Sequence, residues 1–257
     1  MSAAHRPRIR VGDVSFDALT QQQVVDVVRK EWAAGQGGSI TPVNVDVART
    51  AARDAGLADL IARASVVVAD GMPLVWAARI QGDPLPERVA GSSLIFALCE
   101  AAAADGKSVY LFGGADGIPD RAGAALAARF GTRIAGTLSP EFGFDRTPEG
   151  TRRAVAALAA AAPDLVFVGL GFPRQERLIE SLRAELPDAW FLACGGGIAM
   201  AAGAVRRAAP VIQRLGFEWL HRLALEPRRL ARRYLRDDLP FALALMARSV
   251  ARRFTRR

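Results

Sequence analysis

Short apolar runs alternate with helical patterns along this chain, and a polar or glycine-rich break follows most of the runs. The runs, which are rich in β-branched and aromatic residues, lie at residues 39–44, 66–69, 108–112, 132–138, 164–171 and 189–194. Strands that alternate with helices in this way favour a mainly parallel sheet with helices on both faces. We therefore predict an α/β fold with a Rossmann-like sheet and one ligand crevice at the carboxyl ends of its strands.

From Pro210 onward the pattern becomes all helical and basic. Residues 206–257 hold 14 arginines and four acidic residues, so the rest of the chain is slightly acidic although the whole chain carries a net charge of +8. We predict an α/β domain over residues 1–209 and a basic helical appendage over residues 210–257. Arginines interleaved with apolar side chains suit an interfacial helix on an anionic membrane, and the alternative is a packing helix with a solvated basic face. No DNA- or RNA-binding motif accompanies the charge, so nucleic acid is not an expected partner.

Several classes of protein are disfavoured by features that the sequence lacks. The segment from Met1 to Val14 has no apolar stretch, so we expect no signal peptide. No run reaches the roughly 18 uninterrupted apolar residues of a membrane-spanning helix. Cys99 and Cys194 offer neither a disulfide framework nor a metal-binding spacing, which indicates a reducing compartment.

Asp70 stands at the carboxyl end of the run Val66–Ala69, before a glycine and a helical pattern that contains Pro73. Open α/β sheets bind their ligands at such positions, so this carboxylate is a candidate catalytic group. An acidic residue in front of a helix also commonly caps the helix N-terminus. The local sequence leaves both interpretations open.

Four further polar side chains fall at predicted strand ends or helix starts. Thr41 and Asn44 are placed where the first of the predicted strands runs into a loop, although Asn44 can equally be a helix cap. Arg88 precedes a predicted helix, where it is either an anion-binding group aided by the helix dipole or a solvated loop residue. Gln175 follows a predicted strand and offers amide donors and an acceptor, or else lies on the surface of a helix.

Glycines end three of the predicted strands and are candidates for binding a nucleotide. They are Gly113, Gly114, Gly169, Gly171, Gly195 and Gly196. Glycine permits a positive φ angle and a close approach by a ligand or by another segment of the chain. The spacing is not G-x-G-x-x-G and no suitable acidic residue follows it, which argues against a nicotinamide-dependent oxidoreductase. There is also no P-loop lysine.

Six sequence blocks, taken in order, resemble the WecG/TagA/CpsF glycosyltransferases, glycosyltransferase family 26. The blocks are Thr41–Asn44, Ala69-Asp70-Gly71, Arg88-Val89-Ala90-Gly91, Leu111-Phe112-Gly113-Gly114, Gly169–Glu176, and Gly216–Leu223 with Glu226-Pro227-Arg228-Arg229. Each block is weak alone, but six in this order over residues 10–235 are specific.

The resemblance implies an inverting glycosyltransferase that acts in the synthesis of cell-envelope polysaccharide. Such enzymes move a sugar of the N-acetylmannosamine, glucose or uronic-acid type from a UDP-sugar to a polyprenyl-diphosphate-linked saccharide at the cytoplasmic face of the membrane. The resemblance implies that Asp70 is the general base and that Thr41, Asn44, Arg88 and Gln175 line the pocket. It also implies no metal and no cofactor, in agreement with the lack of an Asp-x-Asp motif.

The resemblance further implies that the appendage contacts the membrane and supplies arginines to a diphosphate. The candidates are Arg214, Arg222, Arg228 and Arg229. Members of the family can self-associate, so a homo-oligomer is a further expectation.

Two positions depart from the family pattern. Thr41 and Asn44 are separated by two residues where the family usually reads Thr-x-Asn. Ile198-Ala199-Met200 stands where the family usually has Thr-Phe-Asp, which removes an acidic or hydroxyl contact expected near the nucleotide. A non-catalytic module that binds a nucleotide sugar or a lipid at the membrane is therefore the alternative function.

Overall fold

The structure is a computed structural model that describes residues 6–205, 208, 212 and 218–255. The strands are β1 (Arg8–Val11), β2 (Val14–Asp17), β3 (Gly38–Val43), β4 (Val66–Ala69), β5 (Ser108–Gly113), β6 (Arg133–Leu138), β7 (Leu165–Gly169) and β8 (Trp190–Ala193). The α-helices from the N-terminus to the one that follows β8 are α1 (Gln21–Ala33), α2 (Val45–Ala51), α3 (Ala55–Ala62), α4 (Met72–Gln81), α5 (Gly91–Ala104), α6 (Ile118–Phe130), α7 (Pro148–Ala161), α8 (Arg174–Glu185) and α9 (Gly197–Ala201). Those that follow are α10 (Glu218–Leu225), α11 (Pro227–Ala231) and α12 (Leu239–Thr255), with a π-helical segment (Arg232–Asp238) between the last two.

Strands β3 to β8 form one parallel sheet in the order β4-β3-β8-β7-β5-β6. All six predicted runs are strands of this sheet, so the predicted α/β fold is confirmed. Strands β1 and β2 form a separate antiparallel hairpin beside β4. The buried carboxylate of Asp17 in β2 accepts a hydrogen bond from the backbone N–H of Val67 at 2.8 Å, which satisfies one donor of the edge strand β4.

Both faces of the sheet are covered, which explains why its strands are almost continuously apolar. Helices α1, α5, α6 and α9 pack on one face, around residues such as Val68 and Leu111. On the other face, α2, α4 and the β1–β2 hairpin pack around Val43 and Val67, and α7 and α8 pack around Phe112. The sheet therefore presents its carboxyl edge, between the two helical layers, as the place where loops and helix N-termini meet.

The helices of the described chain begin in two different ways. Side chains of Thr20, Asn44, Asp54 and Thr147 cap the first turns of α1, α2, α3 and α7. By contrast, α4, α5, α6 and α8 begin at the carboxyl edge of the sheet with an N-cap residue that makes no side-chain hydrogen bond. Helices α4, α6 and α8 thus keep backbone N–H groups for other partners, whereas at the same edge the Asn44 side chain caps α2 and the Gly91 N–H of α5 donates to Asp70.

The C-terminal helices pack against the same α/β core. Leu245 of α12 is buried in the cluster around α4 and β4. Asp238, in the π-helical segment, pairs with Arg49 of α2 at 3.0 Å and with Arg233 at 3.5 Å. Burial raises the pKa of the Asp238 carboxyl, and the hydrogen bond from Arg49 acts in the opposite direction. The predicted domain boundary between residues 209 and 210 lies outside the described residues and stays a prediction.

None of the helices within the described ranges combines the length and the apolar character needed to cross a membrane.

Candidate active site

Asp70 follows β4 directly and is held by two donors at the carboxyl edge of the sheet. Its Oδ1 accepts from Nη1 of Arg88 at 3.3 Å, and its Oδ2 accepts from the backbone N–H of Gly91, at the start of α5, at 3.3 Å. The N-cap of α4 is Gly71, and no side-chain hydrogen bond caps that helix, so the interpretation of Asp70 as its cap is wrong. The Asp70 side chain is 25% exposed. The carboxylate is therefore oriented by the protein and still open to a substrate.

Arg88 links Asp70 to the C-terminal helices. Its guanidinium lies between Asp70 and Glu218, the first residue of α10, with Nη2 at 3.0 Å from Oε2 of Glu218. The Arg88 side chain is only 16% exposed, so the interpretation as a solvated loop arginine is wrong. Asp70, Arg88 and Glu218 are called the charged half of the site below. Glu218 was not predicted from the sequence as a site residue. The one signal that pointed to it was its place in the block Gly216–Leu223, which resembles the family.

Asn44 follows the last residue of β3 directly, as predicted, but Thr41 does not stand at the end of that strand. Thr41 lies inside β3, opposite Val67 of β4, and is buried, so its predicted position is wrong. The strand continues to Val43, whose carbonyl accepts from the backbone N–H of Asp70 at 2.8 Å. Asn44 accepts a hydrogen bond from the backbone N–H of Val47 at 3.0 Å and caps α2, which confirms the helix-cap interpretation.

Gln175 is buried in the first turn of α8, so its interpretation as a surface residue is wrong. Its Oε1 accepts hydrogen bonds from the backbone N–H groups of Gly171 at 3.2 Å and of Gly195 at 3.1 Å. Its Nε2 donates to Oε1 of Glu176 at 3.0 Å. The amide therefore joins the turn after β7 to the turn after β8.

The six predicted glycines serve two different purposes. A Cβ atom on Gly113, where φ is +107°, would lie 2.6 Å from the carbonyl oxygen of Gly169, and one on Gly169 would lie 2.8 Å from that of Gly195. These glycines are required because the ends of β5, β7 and β8 pack backbone against backbone. A Cβ on Gly171, Gly195 or Gly196 would meet no atom within 4 Å, so these three border open space.

Gly114, with φ of +97°, adjoins the side chain of Ile118 instead. We refer to Gly113, Gly169, Gly171 and Gly195 together with Gln175 as the glycine half of the site.

Glu176 is a buried carboxyl group directly behind the glycine half. Burial raises its pKa to about 7, and the hydrogen bond from Gln175 offsets part of that effect. Its Oε2 has no hydrogen-bond partner among the described residues. Together with Ser39 and Thr41 it lines a cavity of about 280 Å³ between α3 and α8. The sequence predicted no role for this residue.

The remaining predictions concern the appendage, the segment after β8 and metal binding. Arg214 lies outside the described residues, as do the side chains of Arg222 and Arg229, and Arg228 is exposed near the start of α11. Ile198 and Met200 lie in α9 and are buried. The described ranges contain no group of three His, Cys, Asp or Glu side chains that could hold a metal ion.

The sequence matches the glycosyl transferase WecG/TagA/CpsF family over residues 9–255, nearly the whole chain. The protein belongs to this family and is a glycosyltransferase, which confirms the resemblance seen in the six blocks.

Proposed function

We propose that this glycosyltransferase moves a sugar from a UDP-sugar to a polyprenyl-diphosphate-linked saccharide, with inversion at the sugar's C1 and without a metal ion. The product belongs to a cell-envelope polysaccharide, and the reaction takes place at the cytoplasmic face of the membrane. Family membership supports sugar transfer in general. The more specific statements rest on the arrangement of the two halves of the site.

The observation that carries the proposal is the position of the Asp70 carboxylate. In an inverting transfer the acceptor hydroxyl attacks C1 of the donor sugar while it loses its proton. Asp70 is the general base that accepts this proton. Arg88 and the N–H of Gly91 donate to one oxygen each, so the carboxylate is oriented relative to the sheet, and its side chain is 25% exposed.

The glycine half supports the donor end of the reaction. The leaving UDP carries the charge of a diphosphate, and a site without a metal must stabilise that charge with arginines, helix N-termini or backbone N–H groups. Gly171, Gly195 and Gly196 border open space at the carboxyl edge, and α6 and α8 begin there without a capping side chain. We place the nucleotide diphosphate over these turns.

The C-terminal helix α12 supports an acceptor at a membrane surface. Four of its apolar side chains, Leu239, Leu243, Val250 and Phe254, are between 44% and 68% exposed. Their spacing of four, seven and four residues places them along one side of the helix. The helix contains three arginines and no acidic residue. A helix that is basic and has an exposed apolar stripe is suited to an anionic lipid surface.

The decisive experiment measures UDP release from purified protein, with a panel of UDP-sugars and a polyprenyl-diphosphate-linked saccharide analogue as acceptor. Asp70→Asn is compared with the wild type, and Asp54→Asn is the matched control because Asp54 caps α3 and Asn caps helices about as well as Asp. We expect acceptor-dependent release with one donor, a decrease in kcat of about 10²- to 10⁴-fold in Asp70→Asn, and no decrease in Asp54→Asn.

Full turnover in a folded Asp70→Asn variant would exclude Asp70 as the base. Binding of UDP-sugars without release for any donor would favour the alternative, a non-catalytic binding module.

Membrane contact is tested separately by co-sedimentation with phosphatidylglycerol vesicles. Replacement of Leu243 and Phe254 by Asn should weaken binding and leave the fold intact, because both side chains are exposed and lie away from Leu245 in the core. Removal of the whole helix is a poorer test, since it would also uncover α4. Unchanged vesicle binding by the double variant would contradict a role for the stripe.

A further inference from the structure

We propose that Glu176 is a positioning residue, which orients the Gln175 amide and through it keeps the turns after β7 and β8 in one arrangement. The structural part of this proposal stands on the hydrogen bonds alone. Its consequence for catalysis rests on the proposed function, in which those turns bind the donor diphosphate.

The Gln175 amide must point in one particular direction to hold the two turns. Its Oε1 faces two backbone donors, the N–H groups of Gly171 and Gly195, at 3.2 and 3.1 Å. An amide rotated by half a turn would present its NH₂ group to these N–H groups, and neither bond would form. The two turns, which follow different strands, would then no longer be joined by the Gln175 side chain.

Glu176 supplies the partner for the other end of the amide in this direction. Its Oε1 accepts from Nε2 of Gln175 at 3.0 Å, and a carboxyl oxygen accepts but cannot donate when the group is ionised. Both side chains are 5% exposed, so this hydrogen bond lies inside the protein. The acceptor at Glu176 therefore favours the same orientation of the Gln175 amide as the two glycine N–H groups do, and it stabilises that orientation further.

The environment of Glu176 shows that the carboxyl group is costly at this position. Its second oxygen is buried without a partner among the residues described, and burial disfavours the charged form. A buried carboxyl group in a folded protein calls for an explanation, because an apolar side chain would avoid the cost of desolvation. The orientation of Gln175 is the explanation that the contacts provide.

The effect on the reaction follows from where the two turns lie. Gly171 and Gly195 have φ angles of +79° and +52°, and a Cβ atom on either would meet no atom within 4 Å. Fixing their N–H groups to one oxygen fixes the shape of the surface that we assign to the donor diphosphate. Loss of the link should therefore weaken donor binding and leave the chemical step at Asp70 largely unchanged.

The first test follows amide exchange by NMR in protein labelled with [¹⁵N]glycine, without any substrate. The Gly171 and Gly195 signals are identified by their loss in Gly171→Ala and Gly195→Ala. Glu176→Met removes the acceptor and keeps the length of the side chain, whereas Glu176→Gln keeps a carbonyl acceptor. We expect exchange at both glycines to be about five- to tenfold faster in Glu176→Met, as in Gln175→Ala, and close to wild type in Glu176→Gln.

Glu180→Met is the matched control, because Glu180 lies one turn further along α8 and pairs with Arg63 at the surface. Exchange at both glycines should be unchanged in this variant. If Glu176→Met does not fold, Glu176→Ala removes the acceptor next to the cavity without adding volume. Wild-type exchange at both glycines in a folded variant without the acceptor would overturn the proposal.

The second test measures steady-state kinetics with the donor identified by UDP release. We expect the KM for the UDP-sugar to rise about five- to tenfold in Glu176→Met with kcat changed by less than about twofold, and both to return toward wild type in Glu176→Gln. Faster exchange together with an unchanged KM would support the positioning role of Glu176. The same result would contradict the proposed binding of the diphosphate over the turns after β7 and β8. The two proposals can therefore fail separately.

Discussion

The two halves of the candidate site lie at one edge of one sheet but are built from different parts of the chain. In the charged half, side chains from a strand end, a loop and α10 approach one another, and Arg88 lies between two carboxylates. In the glycine half, backbone packs against backbone, and one buried amide joins two turns. A site made from side chains can lose one function without a change in shape. In a site made from backbone, a substitution changes the shape of the site before it changes any single function.

This difference separates the proposed tasks of the two halves. Proton transfer needs one group at a defined place, and a side chain such as Asp70 can supply it. A diphosphate has several oxygens spread over several ångströms and is better matched by helix N-termini and by backbone that a ligand can approach closely. The comparison predicts that substitutions in the two halves change different quantities.

The largest expected effect on stability is that of Gly113→Ala in the glycine half. The new Cβ would lie 2.6 Å from the Gly169 oxygen at a φ of +107°, so β5 and β7 must separate. We expect a loss of about 3 kcal/mol in the free energy of unfolding, measured by denaturant titration. Gly196→Ala is the control, because its Cβ meets no atom within 4 Å and its φ is −75°. Equal losses in the two variants would contradict the distinction between packed and open glycines.

Glu176→Gln should stabilise the protein, and more so at high pH. Burial raises the pKa of Glu176 from 4.5 to about 7, so the folded state binds more protons than the unfolded state between these values. Wild-type stability therefore falls as the pH rises through this interval, and the Gln variant lacks this loss. We expect the difference in the free energy of unfolding to grow from pH 5 to pH 8, toward an upper limit of about 3 kcal/mol. A difference that is independent of pH would contradict the burial of a titrating group here.

Glu218→Gln, the same substitution in the charged half, should have the opposite sign and a smaller size. It removes one partner of Arg88, and we expect a loss of about 1 kcal/mol together with faster hydrogen exchange in α10. Glu185→Gln, at an exposed position of α8, is the control and should change little. If Glu176→Gln and Glu218→Gln shift stability in the same direction, the contrast between the two halves does not hold.

The sheet could be predicted because its strands carry a strong local signal. A parallel strand covered on both faces is an unbroken apolar run, and β4 and β7 are of this kind. The β1–β2 hairpin and α3 were not predicted. The hairpin's strands have four residues each, and α3 follows α2 after a short break, so neither shows a long periodic pattern.

The candidate site could be predicted only in part, because the sequence shows which residues follow a strand and not what they contact. Asp70 was placed at the correct strand end, but its partner Gly91 is 21 residues further along the chain. Thr41 was placed at the end of a strand predicted over residues 39–44, whereas it lies two residues before the last residue of β3. Glu176 and Glu218 were missed because their importance comes from burial and from a distant partner, and neither is visible in local sequence.

The unequal capping of the helices has a practical consequence. Because α4, α6 and α8 begin at the carboxyl edge without a capping side chain, a ligand that accepts hydrogen bonds from their first turns binds the folded state alone. Such a ligand raises the melting temperature by mass action, and at a hundred times its Kd the gain is about 2.7 kcal/mol. Thermal shifts can therefore rank UDP-sugars, and other nucleotide sugars beside them, before any lipid-linked acceptor has been synthesised.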